Sequence, residues 1–331
     1  MNMARVPLAA RVTALALLVA GVACGGSRET AAPSDAPRAE IRDIAVAPGD
    51  LALPLKSDSV RFAVIGDSGR GDKAQQDVAQ QMVAWRSRFP FEFVLMLGDN
   101  IYDSHTPRDY QRKFEEPYRP LLEAGVTFHA AIGNHDDPAQ IFYAHFNMSG
   151  RRYHTFRKSA GTLGPLGGTT VRFFALDSRS FDPEQLRWLR EQLEESGSTW
   201  QICYFHHPLY TSGRYRVGAR ALRLVVEPIL VTGGVDVVLA GHEHFYERIV
   251  PQQGILYFVS GAAGSLRRGD IRPSGLTARG FDEDYSFMLM EVAGNELYFQ
   301  AISRRGVTVD AGVMTQRARR VLLPMDMAPR P

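Results

Sequence analysis

Short apolar runs recur along the chain, and most of them close on glycine or on a polar cluster. VRFAVIG, FEFVLML, VTFHAAIG, TTVRFFALD, TWQICYF, VDVVLAG and GILYFVSG are too short for helices and rich in β-branched and aromatic residues, so each is predicted as a strand. Between them lie stretches with helical spacing of apolar positions, DKAQQDVAQQMVAWRSRF and DPEQLRWLREQLEES. The second opens on Asp182, Pro183 and Gln185, which predicts an N-cap, a proline at the first helical position and a capping-box partner. The C-terminal stretch SFMLMEVAGNELYFQAISRRGVTVDAGVMT predicts successive hairpins, turning at Gly294-Asn295 and Arg305-Gly306. Strand–helix alternation followed by a β-rich end implies a layered α/β domain with two sheets.

Two ends fall outside this pattern. Residues 1–23 combine Arg5 and Arg11 with an apolar stretch from Val12 to Ala23, which is too short to span a membrane and matches a secretory signal. Cys24, after small residues and before GGS, resembles the lipobox of bacterial lipoproteins, although Gly21 stands where that box usually has leucine. The resemblance implies cleavage before Cys24, lipidation of Cys24 and a chain exported from a bacterial cell and anchored to a membrane; a plain secretory signal would give a secreted chain. Residues 24–57 are rich in Ala, Pro, Ser and Gly and are expected to form a tether, with the folded domain at 58–316 and a tail at 317–331.

Charge narrows the classes of partner. The chain has 38 Lys+Arg and 36 Asp+Glu, and removal of residues 1–23 leaves 36 against 36. A neutral chain offers no general attraction to nucleic acid. Of the two cysteines, Cys24 is the expected lipid site and Cys203 lies inside TWQICYF, so stability must come from the core rather than from a disulfide.

The chemistry collects at the strand ends. Asp67 follows VRFAVIG, Asp99 and Tyr102 follow FEFVLML, and Asn134 and His135 follow VTFHAAIG. His206 and His207 follow TWQICYF, and His242 and His244 follow VDVVLAG. Taken singly, each has an ordinary reading: a turn aspartate, a hydrogen-bonded histidine, a core phenol. Together, five loops at carboxyl ends of strands supply carboxylate, imidazole, amide and phenol to one crevice. That donor set suits two metal ions, which a carboxylate can bridge at about 3.5–4 Å.

GDSG, GDNIY, GNHD, YFHH and GHEH, in this order, resemble the calcineurin-like metallophosphoesterases, and the tyrosine of GDNIY resembles their purple acid phosphatase branch. The resemblance implies a four-layer α-β-β-α sandwich of two mixed sheets, with a dinuclear metal site at the strand C-terminal ends. In the wider family the first motif is Asp-x-His; here position 69 is Gly, and the branch supplies the missing ligand from Tyr102. The implied first site is Asp67, Tyr102 and His244, the second Asn134, His206 and His242, with Asp99 bridging. His135 resembles the family's acid, outside the ligand set. The implied ions are Fe(III) with Fe(II), Zn(II) or Mn(II), because a phenolate favours a hard trivalent ion.

The implied reaction is hydrolysis of small phosphate monoesters by a metal-bound hydroxide, with His135 protonating the leaving group. A phosphodiesterase or phospholipid-directed hydrolase on the same centre is the alternative, and a non-enzymatic surface binding protein is the third. One stretch departs from the pattern: where many bacterial relatives follow HHPLYSSG closely with histidine, this chain reads HHPLYTSGRYRVG. Tyr215 and Arg214 are therefore candidate substrate contacts, or merely residues of a solvated loop. His207 either orients its loop or touches substrate.

Overall fold

The computed structural model describes residues 40–164, 167–272 and 274–316. Among these described residues, fourteen strands form two seven-stranded sheets. The first comprises β1 (Glu40–Asp43), β2 (Val60–Ile65), β3 (Phe93–Met96), β4 (Thr127–Ala130), β12 (Ser286–Ala293), β13 (Glu296–Ser303) and β14 (Thr308–Thr315), in the order β1-β14-β13-β12-β2-β3-β4. The second comprises β5 (His154–Gly164), β6 (Gly167–Ala175), β7 (Trp200–Phe205), β8 (Val237–Ala240), β9 (Tyr246–Ile249), β10 (Leu256–Ser260) and β11 (Thr277–Phe281), in the order β11-β9-β10-β8-β7-β6-β5. Strands β2, β3 and β4 are parallel neighbours, as are β6, β7, β8 and β10, so each sheet is mixed.

Period-two alternation distributes each central strand between two cores. Phe62 and Val64 of β2 face the space between the sheets, where they meet Phe173, Ile202 and Leu239, whereas Ala63 and Ile65 face the other way. On that outer side lie α1 (Lys73–Arg86) and, after the short α2 (Pro107–Tyr110) and a π-helical turn at Gln111–Glu115, α3 (Glu116–Glu123). Val78, Met82 and Trp85 of α1 and Tyr118 and Leu121 of α3 cover the first sheet. Helices α4 (Pro183–Glu194) and α5 (Arg216–Thr232) cover the second through Leu189, Leu193, Val226 and Leu230. The result is the four-layer α-β-β-α sandwich. Burial on both faces explains why the central strands read as continuous apolar runs instead of alternating ones.

Three readings of the sequence need correction. The stretch expected as tether contributes to the domain from Glu40 onward: β1 pairs antiparallel with β14, and Leu53 is buried. The N–H groups of Leu55 and Lys56 donate to the buried Glu291 carboxylate at 2.9 and 2.6 Å, which fixes the segment immediately before β2. Asp182 does cap α4, accepting the Gln185 N–H at 2.9 Å, but Gln185 does not complete a capping box. Its amide turns instead into the preceding loop, accepting from Asp177 N at 2.7 Å and donating to the Asp177 and Ser180 carbonyls. The structure adds helices α2, α3 and α5 and strands β5, β9 and β11 to the elements that the apolar pattern predicts. The two C-terminal turns fall at Gly294-Asn295 and Arg305-Gly306, with Gly294 and Gly306 at φ of 58° and 76°. Residues 1–39 and 317–331, on which the expected signal, the expected lipid site at Cys24 and the expected C-terminal tail fall, lie outside the described residues.

Candidate metal centre

The strand-end loops of both sheets converge between the carboxyl ends of β2, β3, β4, β7 and β8. Asp67, immediately beyond β2, adopts a left-handed φ of 55°. Its Oδ2 accepts the His242 backbone N–H at 2.8 Å, and its Oδ1 accepts the Tyr102 hydroxyl at 3.1 Å and lies 3.3 Å from His244 Nε2. Tyr102 Oη is also 3.3 Å from His244 Nε2. Asp67, Tyr102 and His244 are thus gathered into one buried cluster.

A second cluster adjoins it. Asn134 Oδ1 lies 3.0 Å from His206 Nε2 and 3.0 Å from His242 Nδ1, and these two ring nitrogens are 3.1 Å apart. The His206 Nδ1 proton is given to the Leu97 carbonyl at 3.0 Å, which leaves the Nε2 lone pair facing inward. Asp99 Oδ1 stands 3.4 Å from His206 Nε2, and ligand atoms of Asp67, Asp99 and His206 all lie within 4.8 Å of one another. Asp99 is therefore placed between the two clusters. Its own φ is 51° and that of His242 is 68°, so three donors occupy backbone conformations that ordinary residues seldom adopt. Gly133 leaves room for the Asp99 carboxylate: a Cβ there would stand 2.2 Å from Asp99 Oδ1.

Electrostatics and donor chemistry fit a cationic occupant. Burial, then the carboxylates of Asp67 and Asp99, push the Tyr102 phenol far above its ordinary value, so only a strong adjacent positive charge converts it to phenolate. Burial opposes ionisation of Asp67, but its His244 hydrogen bond and the neighbouring imidazoles hold its carboxyl below the usual range. Burial, then His206, lowers His242 to about 4. Ionised carboxylate and neutral imidazole are the protonation states that bind metal. With the His206 Nε2 lone pair facing inward, the His242 Nδ1 tautomer that also presents a lone pair would give a cation two ring nitrogens and the Asn134 amide oxygen within about 3 Å of one another. The seven side chains form a candidate dinuclear centre.

The remaining predicted residues divide. His135 is exposed; its backbone N–H donates to Asp99 Oδ1 at 2.9 Å and its ring lies 4.8 Å from that of Tyr102. His207 is buried, and burial followed by His206 and His242 lowers it to about 2. Ser178 Oγ holds it, accepting the His207 backbone N–H at 2.9 Å and meeting Nδ1 at 3.0 Å. Tyr215 covers this side, with its ring 4.6 Å from His242 and 5.2 Å from His207. Arg214, the other candidate substrate contact, has its guanidinium on Asp270 at 2.6 and 2.9 Å.

Four supporting residues escaped the sequence reading. Asp136 of GNHD is buried and ties two loops together, accepting from Ile101 N and Gly133 N at 3.0 and 2.8 Å and from the Asn100 and Gln140 amides. Burial, then Asp99, raises its carboxyl to about 6. Glu243, between the two histidines of GHEH, is buried and accepts the Tyr215 backbone N–H at 2.6 Å. The Arg70 guanidinium lies 3.6 Å from the centre of the Tyr102 ring. Lys113, on the π-helical turn and 2% exposed, donates to the carbonyls of Tyr102 and Ser104 and pairs with Asp109. Asp136 and Glu243 stand inside quoted motifs, where a charged residue at a strand end is a readable signal; Lys113 and Arg70 carry none.

Comparison with known proteins finds relatives of this chain in both sequence and fold. The sequence model of a family described as calcineurin-like phosphoesterase matches residues 60–246. Purple acid phosphatase 17 of Arabidopsis thaliana is 27% identical over 257 residues, 66% of this chain and 73% of that protein. Tartrate-resistant acid phosphatase type 5 of Rattus norvegicus is 24% identical over 319 residues, 81% of this chain and 96% of that protein. GAP50, the anchor in the inner membrane complex of Plasmodium, shares the fold with a TM-score of 0.70 at 18% identity, covering 79% of this chain and 90% of that chain.

Proposed function

Because the chain belongs to the calcineurin-like phosphoesterases, we propose that it hydrolyses phosphate monoesters in the manner of an acid phosphatase. The observation that carries this reading is the contact of Tyr102 Oη with both Asp67 and His244, beside a second cluster reached through Asp99. A phenol in the first donor set separates this centre from one built on carboxylate and imidazole alone. Asp67, Tyr102 and His244 would hold one ion, read as Fe(III), and Asn134, His206 and His242 a second, read as Fe(II), Zn(II) or Mn(II), with Asp99 shared. When bound, such ions offset charge on phosphoryl oxygens and acidify water towards neutral pH.

The chain's own groups divide the remaining work. His135, exposed beside Tyr102 and fixed by its backbone bond to Asp99, holds a proton at its ring for the departing alkoxide. Buried His207 stays neutral and, steadied by Ser178, lines the second cluster without adding charge. Tyr215 closes the same side and offers its hydroxyl to substrate, while its backbone is held by Glu243. Export and a lipid anchor at Cys24 belong to this reading and rest on the sequence of residues 1–24.

The test is kcat/KM on p-nitrophenyl phosphate against bis-p-nitrophenyl phosphate, using metal-loaded protein. A clear preference for the monoester is expected. Preference for the diester would move the assignment to a phosphodiesterase or phospholipid-directed hydrolase on the same centre. Hydrolysis of neither ester would favour a binding protein.

A further inference from the structure

Helix α5 is apolar on both sides. Ala219, Val226, Ile229 and Leu230 are buried against the second sheet. At about 100° per residue, the opposite side gathers Val217, Ala221, Leu224, Pro228 and Val231, all of them exposed. Val217 and Leu224 are 86% and 73% exposed, where a surface helix ordinarily carries charged residues. A continuous apolar stripe of this kind marks a contact surface.

The exposed charge on α5 has one sign. Arg216 and Arg220 are exposed alongside the stripe, and Arg190 of α4 lines the groove beside Pro228 and Thr232, together with Glu194. The single acid of the helix, Glu227, turns inward and accepts the Tyr210 and Tyr257 hydroxyls at 2.8 and 2.9 Å. Arg223 is also engaged, lying 4.2 Å from the centre of the Tyr210 ring and donating to the Leu209 carbonyl. The outer surface of the helix itself is therefore apolar and cationic. A second copy packed on this face would oppose arginines to arginines without acids from α5 to offset them. An anionic bilayer complements both features, with headgroups for the arginines and the acyl boundary for the stripe.

The geometry points to α5 as a membrane-surface contact that takes an anionic lipid bilayer. The helix begins directly after Tyr215, whose ring packs 4.6 Å from His242, so docking sets the rim of the metal centre beside the lipid surface. One short stripe binds reversibly; joined to a lipid at Cys24 it supplies the second of the two weak signals that stable anchoring requires. This inference does not depend on which phosphate ester is cleaved.

Flotation of chains that begin at position 24, with phosphatidylcholine vesicles with and without phosphatidylglycerol, tests it. All chains carry Cys24→Ser and lack residues 1–23, so differences among them report α5. The parent is expected to float with the anionic vesicles and to be released by salt. Arg216→Gln and Arg220→Gln each weaken that binding about fivefold, and Val217→Gln with Leu224→Gln weakens it about tenfold or more, at unchanged melting temperature. Equal flotation of the parent and every variant would overturn the proposal. So would a dimer in light scattering that the Val217/Leu224 variant dissolves, since the stripe would then join two copies.

Discussion

Gly69 and Asn100 meet where only a hydrogen atom fits: a Cβ on Gly69 would stand 2.0 Å from the Asn100 carbonyl oxygen. The Tyr102 N–H donates to the Gly69 carbonyl at 3.0 Å, seating the two loops against each other. The absent side chain at position 69 therefore does two things. It removes the histidine that the wider family's first motif would supply, and it admits the loop that brings Tyr102 to Asp67.

Gly69→Ala is expected to push that loop away. Overpacking of this kind costs about 1–3 kcal/mol, and the displaced phenol leaves the first cluster incomplete. Denaturant unfolding should show the loss of stability, and metal analysis the loss of the first ion. A variant with unchanged stability and metal content would show that the contact is unimportant.

Tyr102→Phe removes one oxygen and keeps the ring beside His135. If an Fe(III)–phenolate forms, the wild-type protein shows a broad visible absorption band and the variant loses it while remaining folded. A colourless, wholly divalent and active wild type would refute the Fe(III) assignment and leave the phosphoesterase reading in place.

Lys113→Met tests the support beneath the same loop. The buried ammonium donates to two carbonyls, those of Tyr102 and Ser104. Its removal should lower stability by about 2–3 kcal/mol and loosen the Tyr102 cluster. Chemical denaturation of metal-free protein reads the first effect. The position of the visible band in loaded protein reads the second.

The convergence of these seven side chains was legible because each follows an apolar run, and the chain's order delivers them to strand ends. Their supports were less visible. Lys113 acts on Tyr102 from a helix interrupted by a π turn among Pro107, Pro117 and Pro120, a composition that hides helical period. Helix α5 was hidden for another reason: apolar residues lie on both sides of its narrow stripe of Arg216, Arg220, Arg223 and Glu227, and Gly218 and Pro228 stand inside, so its sequence lacks a single apolar face opposite a broad polar one. β1 spans only four residues and is defined by its partner β14, far away in sequence. Arg214 is likewise decided by distant Asp270, which no local pattern reveals.

Acid should weaken the fold through two histidines away from the metal centre. Burial, then Lys158 and His154, lowers His129 to about 3, and burial lowers His154 to about 4. The unfolded chain takes up these protons near pH 6.5 and the folded chain does not, so stability falls as pH drops from about 6.5 towards 4. Each contributes about 1.4 kcal/mol per pH unit inside its window. His129 stacks on Phe156 at 3.9 Å, so His129→Phe keeps an aromatic ring there and should remove one of the two contributions. Unfolding free energies of both proteins across pH 4–7 check this; parallel curves would exclude His129 as a source.

The most direct test of the two-cluster centre is the metal content of purified, metal-loaded protein, measured side by side for wild type and Asp99→Ala. The seven-residue donor set requires about two ions per chain in the wild type, falling to one or none when the shared carboxylate is removed. A wild type that binds at most one ion, or an Asp99→Ala chain that still carries both, would contradict a dinuclear centre joined through Asp99.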